Sequence, residues 1–321
     1  MMDFTPADSQ QAVAALAAEV LTEPDPWKAL AQAGLLDASC LGLLDIATLL
    51  TEIGRRAPSL KAHATLMTGA LPLARWGCRP DLLPAVASGG LLLTAAIREP
   101  SGAPATTVTG GTITGTKVGV PYAAQAHLLL VPASSGVALV DPAGATLIPT
   151  PSSSGEPEYT VRLDQAPIGG ILGGPECVRD LDQLSVAGAC ALADGAVAGA
   201  LALTRDHVAT RQQFGRPLAA FQAVSQQIAD VYIASRTMHL ATLSACWRLD
   251  AGLGAAEDLG VAGYWCAEQA PRSVRTCHHL HGGIGMDATY PLHRFSSLVA
   301  DLVRYLGGAE YRLERQACSS T

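Results

Sequence analysis

The first part of the chain carries apolar residues at the spacing of amphipathic helices. Apolar positions recur three or four residues apart within 13–21, 27–36 and 44–54, with polar residues between them. The residues at 5–8, Thr-Pro-Ala-Asp, are types favoured at the amino terminus of a helix. These patterns, with further helical segments after them, predict an amino-terminal α-helical domain over residues 1–87.

The pattern changes near Gly89, where β-branched residues and turn signals become frequent. The apolar run 91–97 is typical of a buried strand, and a Gly-Gly pair inside 107–114 predicts a tight hairpin. Pro149, Pro151 and the Ser-Ser-Ser-Gly run at 152–155 predict an exposed loop, and 142–156 is the one segment that we expect to be disordered. We therefore expect a middle β domain over residues 88–172. Its other strands are predicted at 118–120, 127–131, 137–140 and 159–163.

Helical spacing returns after Gly174 and continues to the end of the chain. The first long helix, 184–211, is rich in glycine and alanine, which allow neighbouring helices to approach closely. This predicts a carboxy-terminal helical bundle over residues 173–321, and the order helix, strand, helix predicts an α+β fold. Four further helices are predicted at 222–249, 256–279, 290–306 and 310–317.

The composition argues against two classes of partner. The chain has 321 residues, of which 49% are hydrophobic, and a formal net charge of −7 without clusters of Lys and Arg. Such a chain lacks the basic patch that attracts nucleic acids or anionic membrane surfaces, so we expect neither as a partner. No apolar run reaches the roughly 18–20 residues of a membrane-spanning helix, and we expect no secretion signal.

Eight cysteines are spread along the chain, and no two form a Cys-x-x-Cys pair. This usage is typical of buried, reduced thiols in a cytosolic protein, and predicts a cytoplasmic location. The cysteines are Cys40, Cys78, Cys177, Cys190, Cys246, Cys266, Cys277 and Cys318.

Three segments stand out from the helix and strand patterns. The first, 211–218, reads Arg-Gln-Gln-Phe-Gly-Arg-Pro-Leu, lies between two predicted helices and is followed by Phe221-Gln222. The second, 278–286, reads His-His-Leu-His-Gly-Gly-Ile-Gly-Met and is followed by Tyr-Pro-Leu-His-Arg at 290–294. The third, 97–102, reads Ile-Arg-Glu-Pro-Ser-Gly and ends the first predicted strand. Each segment is a weak signal alone.

In combination and in this order, the three segments resemble the acyl-CoA dehydrogenase family over essentially the whole chain. The resemblance is carried by Arg-x-x-Phe-Gly with a downstream Gln, and by His-Gly-Gly-x-Gly with a downstream Pro and Arg. The chain is most similar to the shorter subunits of actinobacterial heteromeric enzymes that degrade steroid side chains, through HHLHGGIGMDATYPLHR and WRLDAG. The resemblance implies a helical domain, a β domain and a carboxy-terminal four-helix bundle, with FAD as cofactor and an acyl-CoA thioester as substrate.

The first two segments have chemistry that suits a dinucleotide. A fixed arginine such as Arg211 can donate paired hydrogen bonds to the pyrophosphate of FAD. Gly282 and Gly283 let the backbone approach a ligand closely. In the family, these segments of one subunit reach the adenosine-diphosphate end of the FAD that its neighbour holds. By resemblance, the residues with this role are Arg211, Gln213, Phe214, Gln222, His279, Gly282 and Gly283.

The same residues have structural interpretations. Arg211 could stabilise the carboxy terminus of its helix, where cations are favoured, and Gly282-Gly283 could be an ordinary helix cap and turn. His278, His279 and His281 could suggest a metal, but no carboxylate or cysteine stands at a familiar ligand spacing, and we predict no metal site. The family more often has Gln at the place of His279.

The catalytic base of the family is missing from this chain. The reaction removes the α-proton of an acyl-CoA with a carboxylate and transfers hydride from the β-carbon to flavin N5. The resemblance places that carboxylate at Leu306 in many members and near Ser185-Val186 in others, and neither place holds a carboxylate here. We therefore predict no catalytic residue in this chain.

The residues that pack against the flavin ring in the family are also replaced. Trp-x-Thr aligns with Gly119-Val120-Pro121, and Thr-Glu-Pro aligns with Arg98-Glu99-Pro100, so a large ring and a hydroxyl donor are lost. The resemblance therefore implies an α2β2 heteromer in which a homologous partner subunit supplies the catalytic Glu and shares its FAD. It also implies electron-transfer flavoprotein as acceptor, and a steroid side-chain CoA ester as substrate, in the β-oxidation of cholesterol-type side chains.

Two other functions remain as alternatives. One is a self-sufficient homomeric dehydrogenase or flavin oxidase with a relocated base, for which Asp182, Asp194, Glu268 and Asp301 are candidates by residue type. Each of the four could equally be a helix-surface charge or an ion-pair partner. The other alternative is a scaffold without catalysis, and the retained Arg-x-x-Phe-Gly and His-Gly-Gly motifs argue against it.

Overall fold

A computed structural model describes residues 4–56, 59–100 and 105–319; Ser101 and Gly102 of the third motif lie outside them. Helices come first, strands follow and long helices return, which confirms the predicted α+β class. The first helices are α1 (Asp8–Val20), α2 (Pro26–Gln32), α3 (Leu43–Arg56), a π-helical segment (His63–Ala70), α4 (Leu71–Arg75) and α5 (Leu83–Ala87).

The π-helical segment was not predicted, and all of its residues are buried. The His63 ring is fully buried, and its Nε2 donates to the Ser185 carbonyl oxygen at 3.0 Å. Burial lowers the pKa of His63 from its ordinary value to about 4, against the opposing effect of this hydrogen bond. His63 is therefore neutral at physiological pH.

The middle of the chain folds into a sheet. Its strands are β1 (Leu93–Ala95), β2 (Thr107–Thr109), β3 (Thr112–Pro121), β4 (Leu128–Ala133), β5 (Gly136–Val140), β6 (Thr146–Thr150) and β7 (Glu158–Leu172). The order is β1-β4-β5-β7-β3-β2, and β6 also pairs with β7. β1 and β4 run parallel, and the other pairs are antiparallel. Side chains such as Ile113, Leu129 and Val161 form its apolar core.

The predicted hairpin is confirmed. β2 pairs antiparallel with the start of β3, with Thr109 opposite Thr112. Gly110 (φ 59°) and Gly111 (φ 82°) form the turn, and both adopt the left-handed conformation that such tight turns require.

The prediction that 142–156 is disordered is wrong, and the loop predicted from Pro149 begins only after Thr150. Residues 146–150 form β6, which pairs with β7 so that Pro149 lies opposite Tyr159. Proline lacks a backbone N–H and is tolerated on a strand that pairs on one side only. The composition therefore indicated a break where the chain forms an edge strand, although 151–157 does lack regular structure.

A buried ion pair ties the segment after β1 to β3. The Lys117 side chain is 2% exposed, and its Nζ lies 2.7 Å from Glu99 Oε1. Glu99 also accepts hydrogen bonds from the Thr106 hydroxyl at 2.6 Å and from the Ala105 backbone N–H. Burial opposes ionisation of Glu99, but these hydrogen bonds outweigh it and lower its pKa to about 2. Glu99 is therefore charged.

Long helices dominate the rest of the chain, with a short hairpin between the first two. The elements are α6 (Pro175–Thr210), β8 (Gln212–Gln213), β9 (Arg216–Pro217), α7 (Gln222–Asp250), α8 (Ala256–His281), α9 (Leu292–Leu306) and α10 (Ala309–Ser319). By internal contacts the chain forms two compact units. One is Met1–Ala14, Ala47–Ser59 and Val186–Thr321, and the other is Ala15–Ile46 and Leu60–Ser185. The limits of the three predicted domains stay predictions.

Glycines allow α3 to lie directly against α6. A Cβ atom on Gly195 would overlap the carbonyl oxygen of Thr51, and one on Gly54 would overlap the carbonyl oxygen of Leu192. Two helix backbones can approach this closely only where no side chain separates them. The glycine-rich pattern of this helix therefore reflects packing.

The helix α6 is long and apolar enough to cross a membrane by length and composition. However, 78% of its most apolar stretch is buried inside the protein. Core helices of soluble proteins have the same properties, so α6 gives only weak evidence for a membrane span.

The described cysteines are free thiols. Cys40 is exposed, Cys78 is half-buried, and the side chain of Cys318 lies outside the described part of the chain. The other five are buried: Cys177, Cys190, Cys246, Cys266 and Cys277.

Candidate functional site

The Arg-x-x-Phe-Gly motif folds as a tight hairpin between α6 and α7. β8 pairs antiparallel with β9, and Phe214-Gly215 forms the turn between them, with φ angles of 54° and 76°. Positive φ at both positions suits a two-residue hairpin. A residue with a side chain costs roughly 1–2 kcal/mol in this conformation. Phe214 is therefore held in a strained conformation at the tip of what we call the hairpin turn, Gln212–Pro217.

Two aromatic contacts join the hairpin turn to α7. The Phe214 ring meets the Phe221 ring edge-on, with 6.1 Å between centroids. The Arg216 guanidinium lies 4.1 Å from the centre of the Phe221 ring. Phe221 immediately precedes α7, whose first residue, Gln222, is exposed. The contacts therefore hold the turn and Gln222 in one region.

Arg211 connects the end of α6 to the hairpin turn. Its backbone N–H donates to the His207 carbonyl at 2.8 Å, and its carbonyl accepts from the Leu218 N–H at 2.9 Å. Its side chain is exposed and forms no hydrogen bond or ion pair with a residue that the structure describes. The guanidinium is thus available to a ligand, although its place just after α6 also fits the helix-terminus interpretation.

The His-Gly-Gly motif ends α8. After His281, the residues Gly282–Met286 form a 3-10 turn, which we call the glycine turn. Gly282 has a φ of 60°, and its N–H donates to the His279 carbonyl. A Cβ atom on Gly282 or on Gly283 would meet no atom within 4 Å. The outer side of the glycine turn is therefore open.

His278 anchors the glycine turn. Its Nδ1 lies 2.9 Å from the Gly285 carbonyl oxygen and therefore donates to it, while its Nε2 lies 3.0 Å from the Ser296 hydroxyl on α9. Gly285 is buried, and a Cβ atom there would lie 3.0 Å from the His281 Cβ. The histidine thus has a structural role, which sequence reasoning did not assign to it.

A ring stack brings the two motifs together. The His207 ring, on the last turn of α6, lies parallel to the His281 ring at 4.4 Å between centroids, with 19° between the ring planes. Arg211 follows His207 by one helical turn, and Gly282 directly follows His281. The hairpin turn and the glycine turn are therefore adjacent, as the resemblance implied for a common ligand.

The seven predicted cofactor-binding residues share one property, which is that all are exposed. Sequence reasoning missed the ring stack and the hydrogen bond behind them, which His207, His281 and Tyr290 make. A signal existed for two of the three, because His281 and Tyr290 belong to the second motif. The assignment of the seven residues to FAD stays a prediction; they are Arg211, Gln213, Phe214, Gln222, His279, Gly282 and Gly283.

The two places where the family carries its catalytic carboxylate are surrounded by apolar side chains and one arginine. Leu306 is 1% exposed, and its carbonyl oxygen accepts a hydrogen bond from Arg312 Nε at 2.6 Å. Arg312 also packs near Gly263 beside Val186, since a Cβ atom on Gly263 would lie 3.2 Å from Arg312 Cδ and 3.5 Å from Val186 Cγ1. A guanidinium stabilises a nearby carboxylate as an anion and makes it a weaker base. This surrounding does not favour a base.

The alternative carboxylates have partners of their own. Asp194 is 3% exposed and accepts from His239 Nδ1 at 2.8 Å. Asp301 pairs with Arg304 at 3.1 Å, and Glu268 pairs with Arg272. These contacts agree with the ion-pair interpretation.

Metal coordination finds no support in the described ranges. Within them, no three His, Cys, Asp or Glu side chains come together as metal ligands. The prediction of no metal site is not tested by this finding.

The β region at the replaced flavin-packing positions has an irregular backbone. Gly119 has a φ of 65°, and the pairing of β3 with β7 is irregular between Lys117 and Val120. The Val118 N–H donates to the Arg98 carbonyl at 2.8 Å. A tryptophan at position 119 would be strained in this conformation, so the backbone here does not suit a large ring.

Comparison with known proteins decides the family. The chain is 46% identical over 332 residues to the acyl-CoA dehydrogenase FadE28 of Mycobacterium tuberculosis, covering 98% of this chain and 97% of that protein. This chain belongs to the acyl-CoA dehydrogenase family. The family's carboxy-terminal domain, described as "Acyl-CoA dehydrogenase, C-terminal domain", matches residues 184–313. Those residues include both motifs of the candidate site.

Two solved structures share the fold of this acyl-CoA dehydrogenase. The steroid acyl-CoA dehydrogenase Tcur3481-Tcur3483 is 30% identical with a TM-score of 0.90, covering 97% of each chain. The ChsE4-ChsE5 complex from Mycobacterium tuberculosis is 28% identical with a TM-score of 0.91, covering 98% of this chain and 97% of that one. The family comprises flavoprotein oxidoreductases that act on the CH–CH bond of an acyl-CoA, and FAD is accordingly the expected cofactor.

Proposed function

We propose that this chain is the subunit that lacks the catalytic base in a heteromeric, FAD-dependent acyl-CoA dehydrogenase. It would bind the adenosine-diphosphate side of an FAD whose reactive ring lies in a homologous partner subunit, and that partner would supply the catalytic Glu. The structures most informative for this proposal, ChsE4-ChsE5 and Tcur3481-Tcur3483, are named as two-component proteins. An α2β2 assembly with two shared FAD is the corresponding arrangement.

The observation that carries the proposal is the exposure of the hairpin tip. Phe214 is 89% exposed although its backbone is strained, and Arg211 beside it has no described ionic partner. Strained residues persist where the surrounding structure or a ligand requires them, and they cluster at functional sites. An exposed ring and a free cation at a strained turn suit a ligand that another chain holds.

The residues present fit the pyrophosphate and adenine parts of FAD. Arg211 offers the planar, paired donors that a pyrophosphate accepts, and the open Gly282-Gly283 backbone leaves room for a ligand to lie against it. Gln213 and Gln222 add amide donors and acceptors, and Phe214 adds an exposed aromatic face. Bound FAD supplies the hydride acceptor of the reaction. This chain's contribution is to hold and orient it.

The missing carboxylate assigns proton removal to the partner. Leu306 cannot accept a proton, and the nearby Arg312 guanidinium would hold a replacement carboxylate in its ionised, weakly basic form. Because one similar structure is named a steroid acyl-CoA dehydrogenase, we infer a steroid CoA ester as substrate. The side-chain ester, electron-transfer flavoprotein as acceptor and a cytoplasmic location are inferred from the sequence resemblance and the cysteine usage.

Purification of the chain with and without a partner tests the proposal. The full-length chain is expressed alone and together with a homologous acyl-CoA dehydrogenase subunit that carries the Glu. We expect little flavin absorption from the chain alone, and stable FAD that acyl-CoA reduces in the mixed assembly. Light scattering gives the stoichiometry, and CoA esters of graded bulk give the substrate class. Stoichiometric, substrate-reducible FAD in the chain alone would refute the proposal.

Replacement of Arg211 should weaken FAD binding in the heteromer. Hydrogen bonds to charged groups contribute about 1.5–3 kcal/mol, so Arg211→Ala is expected to raise the Kd for FAD by about 10- to 100-fold. Arg211→Lys keeps the charge but loses the paired geometry, and should give an intermediate Kd. Flavin fluorescence on titration of the apo-heteromer measures these constants.

Arg205→Ala is the matched control for this prediction. Arg205 is an exposed arginine of α6 that pairs with Asp206, and exposed pairs of this kind contribute little. Its loss should leave the Kd unchanged. Equal Kd values for Arg211→Ala and Arg205→Ala would remove Arg211 from the site.

A further inference from the structure

The His207–His281 stack lies behind the exposed candidate site and has no part in the proposed binding of FAD. His281 is 5% exposed, and the last turns of α6 and α8 meet at the two rings. The hairpin turn follows the first ring along the chain, and the glycine turn follows the second. A change at the stack would therefore reach both turns at once.

The hydrogen bonds of His281 define its protonation state. Its Nδ1 lies 2.8 Å from the Cys277 carbonyl oxygen, which can only accept, so Nδ1 carries a hydrogen. Its Nε2 lies 3.0 Å from the Tyr290 hydroxyl. Burial raises the pKa of Tyr290, so the phenol keeps its proton and can donate it to Nε2. The ring is then neutral with both nitrogens satisfied.

The surroundings of the stack disfavour a positive charge. Burial lowers the pKa of His207 most, and Arg211, which directly follows α6, lowers it further. For His281, burial again lowers the pKa most, and His207 and His278 lower it further against the Cys277 hydrogen bond. The described groups that face the two rings are thus the Arg211 guanidinium, the His278 imidazole, the Tyr290 phenol and the Cys277 thiol, whose pKa burial raises.

We propose that His207 and His281 are a pair of positioning residues whose stacked, neutral rings hold the hairpin turn and the glycine turn side by side. Protonation of the buried His281 places a cation against a second imidazole and turns the Tyr290 hydroxyl from donor to acceptor. Protonation of His207 places a cation close to Arg211, and either change loosens the stack. The pair thus makes the geometry of both turns dependent on pH.

This device gives the cofactor site a pH response, a consequence that rests on the proposed function. Because both pKa values are lowered, the stack is intact above the ordinary histidine pKa of about 6.5, and is lost as the pH falls through the lowered folded-state pKa values. The contact between the turns, in contrast, is a property of this chain and can be measured without flavin.

We call the His207–His281 stack that holds the hairpin turn beside the glycine turn the joint. Hydrogen exchange on the full-length chain tests the joint directly. A stacked pair of rings contributes about 1 kcal/mol beyond burial, so His207→Ala should lower the protection factors of amides in both turns by about 5- to 10-fold at pH 7.5. His207→Phe restores a ring without a titrating group and should restore protection. His127→Phe, at an exposed histidine of the β region, should change neither turn.

Protection factors measured at two pH values distinguish a positioning role that depends on histidine protonation from simple packing of the two rings. On lowering the pH from about 7.5 to about 5.5, the wild-type chain should lose protection in both turns, and His207→Phe should lose less. Equal loss in His207→Phe and wild type would overturn the pH dependence, and loss confined to one turn in His207→Ala would overturn the joint. The wild-type and His207→Phe arms remain informative if His207→Ala does not fold.

Flavin affinity of the heteromer separates this inference from the proposed function. If the joint positions the FAD site, His207→Ala should weaken FAD binding and His207→Phe should rescue it. Loosened turns with unchanged FAD affinity would leave the joint in place and contradict the assignment of the two turns to FAD. Unchanged protection with weakened FAD binding would contradict the joint alone.

Discussion

Glu99→Gln is expected to lower the free energy of unfolding by about 3–5 kcal/mol, because it leaves Lys117 buried without its counter-charge. Lys117 is 2% exposed, and its ammonium lies 2.7 Å from the Glu99 carboxylate. Burial lowers the pKa of Lys117, and the hydrogen bond and charge of Glu99 oppose this effect. Urea unfolding followed by circular dichroism measures the loss.

A double replacement and an exposed control make this prediction specific. Glu99→Gln with Lys117→Met removes both charges and should recover much of the stability, since apolar replacements of buried pairs are often well tolerated. Glu23→Gln, at an exposed glutamate, should change little. A loss below about 1 kcal/mol for Glu99→Gln would show that water reaches Lys117 and satisfies it.

The pH dependence of the pair follows from the pKa of Glu99. Because the folded-state pKa is depressed to about 2, the contribution of Glu99 is complete above its ordinary value of 4.5 and is lost as pH falls toward about 2. Acidification from about pH 7.5 to about pH 5.5 should therefore leave the pair intact, and losses in that window come from histidines.

The elements that sequence predicts best are those with local signals. The hairpin around Gly110-Gly111 follows from two residues that tolerate positive φ between β-branched neighbours, and the register agrees. β6 was missed because Pro149 is a turn signal everywhere except on an edge. The segment His63–Ala70 lies where helix was predicted, but its π form was not, because burial on all sides leaves no amphipathic period.

The candidate site likewise contains features that local sequence signals predict and features that they do not. Its motifs could be found from residue types and order, and the Phe214-Gly215 turn follows from its local conformation. The stack of His207 on His281 joins residues from different helices, and a single sequence carries no signal for such a pair. The partner of the buried Asp194 was hidden for this reason too, since His239 lies on another helix. Long-range pairing thus determines what pattern reasoning misses.

The second large effect is an acid destabilisation that originates at His63. Its pKa of about 4 in the folded chain lies below the ordinary value of 6.5, so the unfolded chain binds this proton more tightly. The stabilisation is complete above about pH 6.5 and disappears as the pH falls to about 4. At about 1.36 kcal/mol for each pKa unit, the loss over that window amounts to about 3 kcal/mol.

His63→Gln separates this effect from the other histidines. The Gln amide can still donate to the Ser185 carbonyl, which the His63 Nε2 contacts at 3.0 Å, but it does not titrate. Unfolding free energies at about pH 7.5 and about pH 4 should therefore differ by about 3 kcal/mol less in His63→Gln than in wild type. His127→Gln, at an exposed site, should follow wild type. A buried neutral imidazole must lose stability as the unfolded chain takes up its proton. Identical losses in all three proteins would therefore mean that the acid sensitivity arises from groups other than His63.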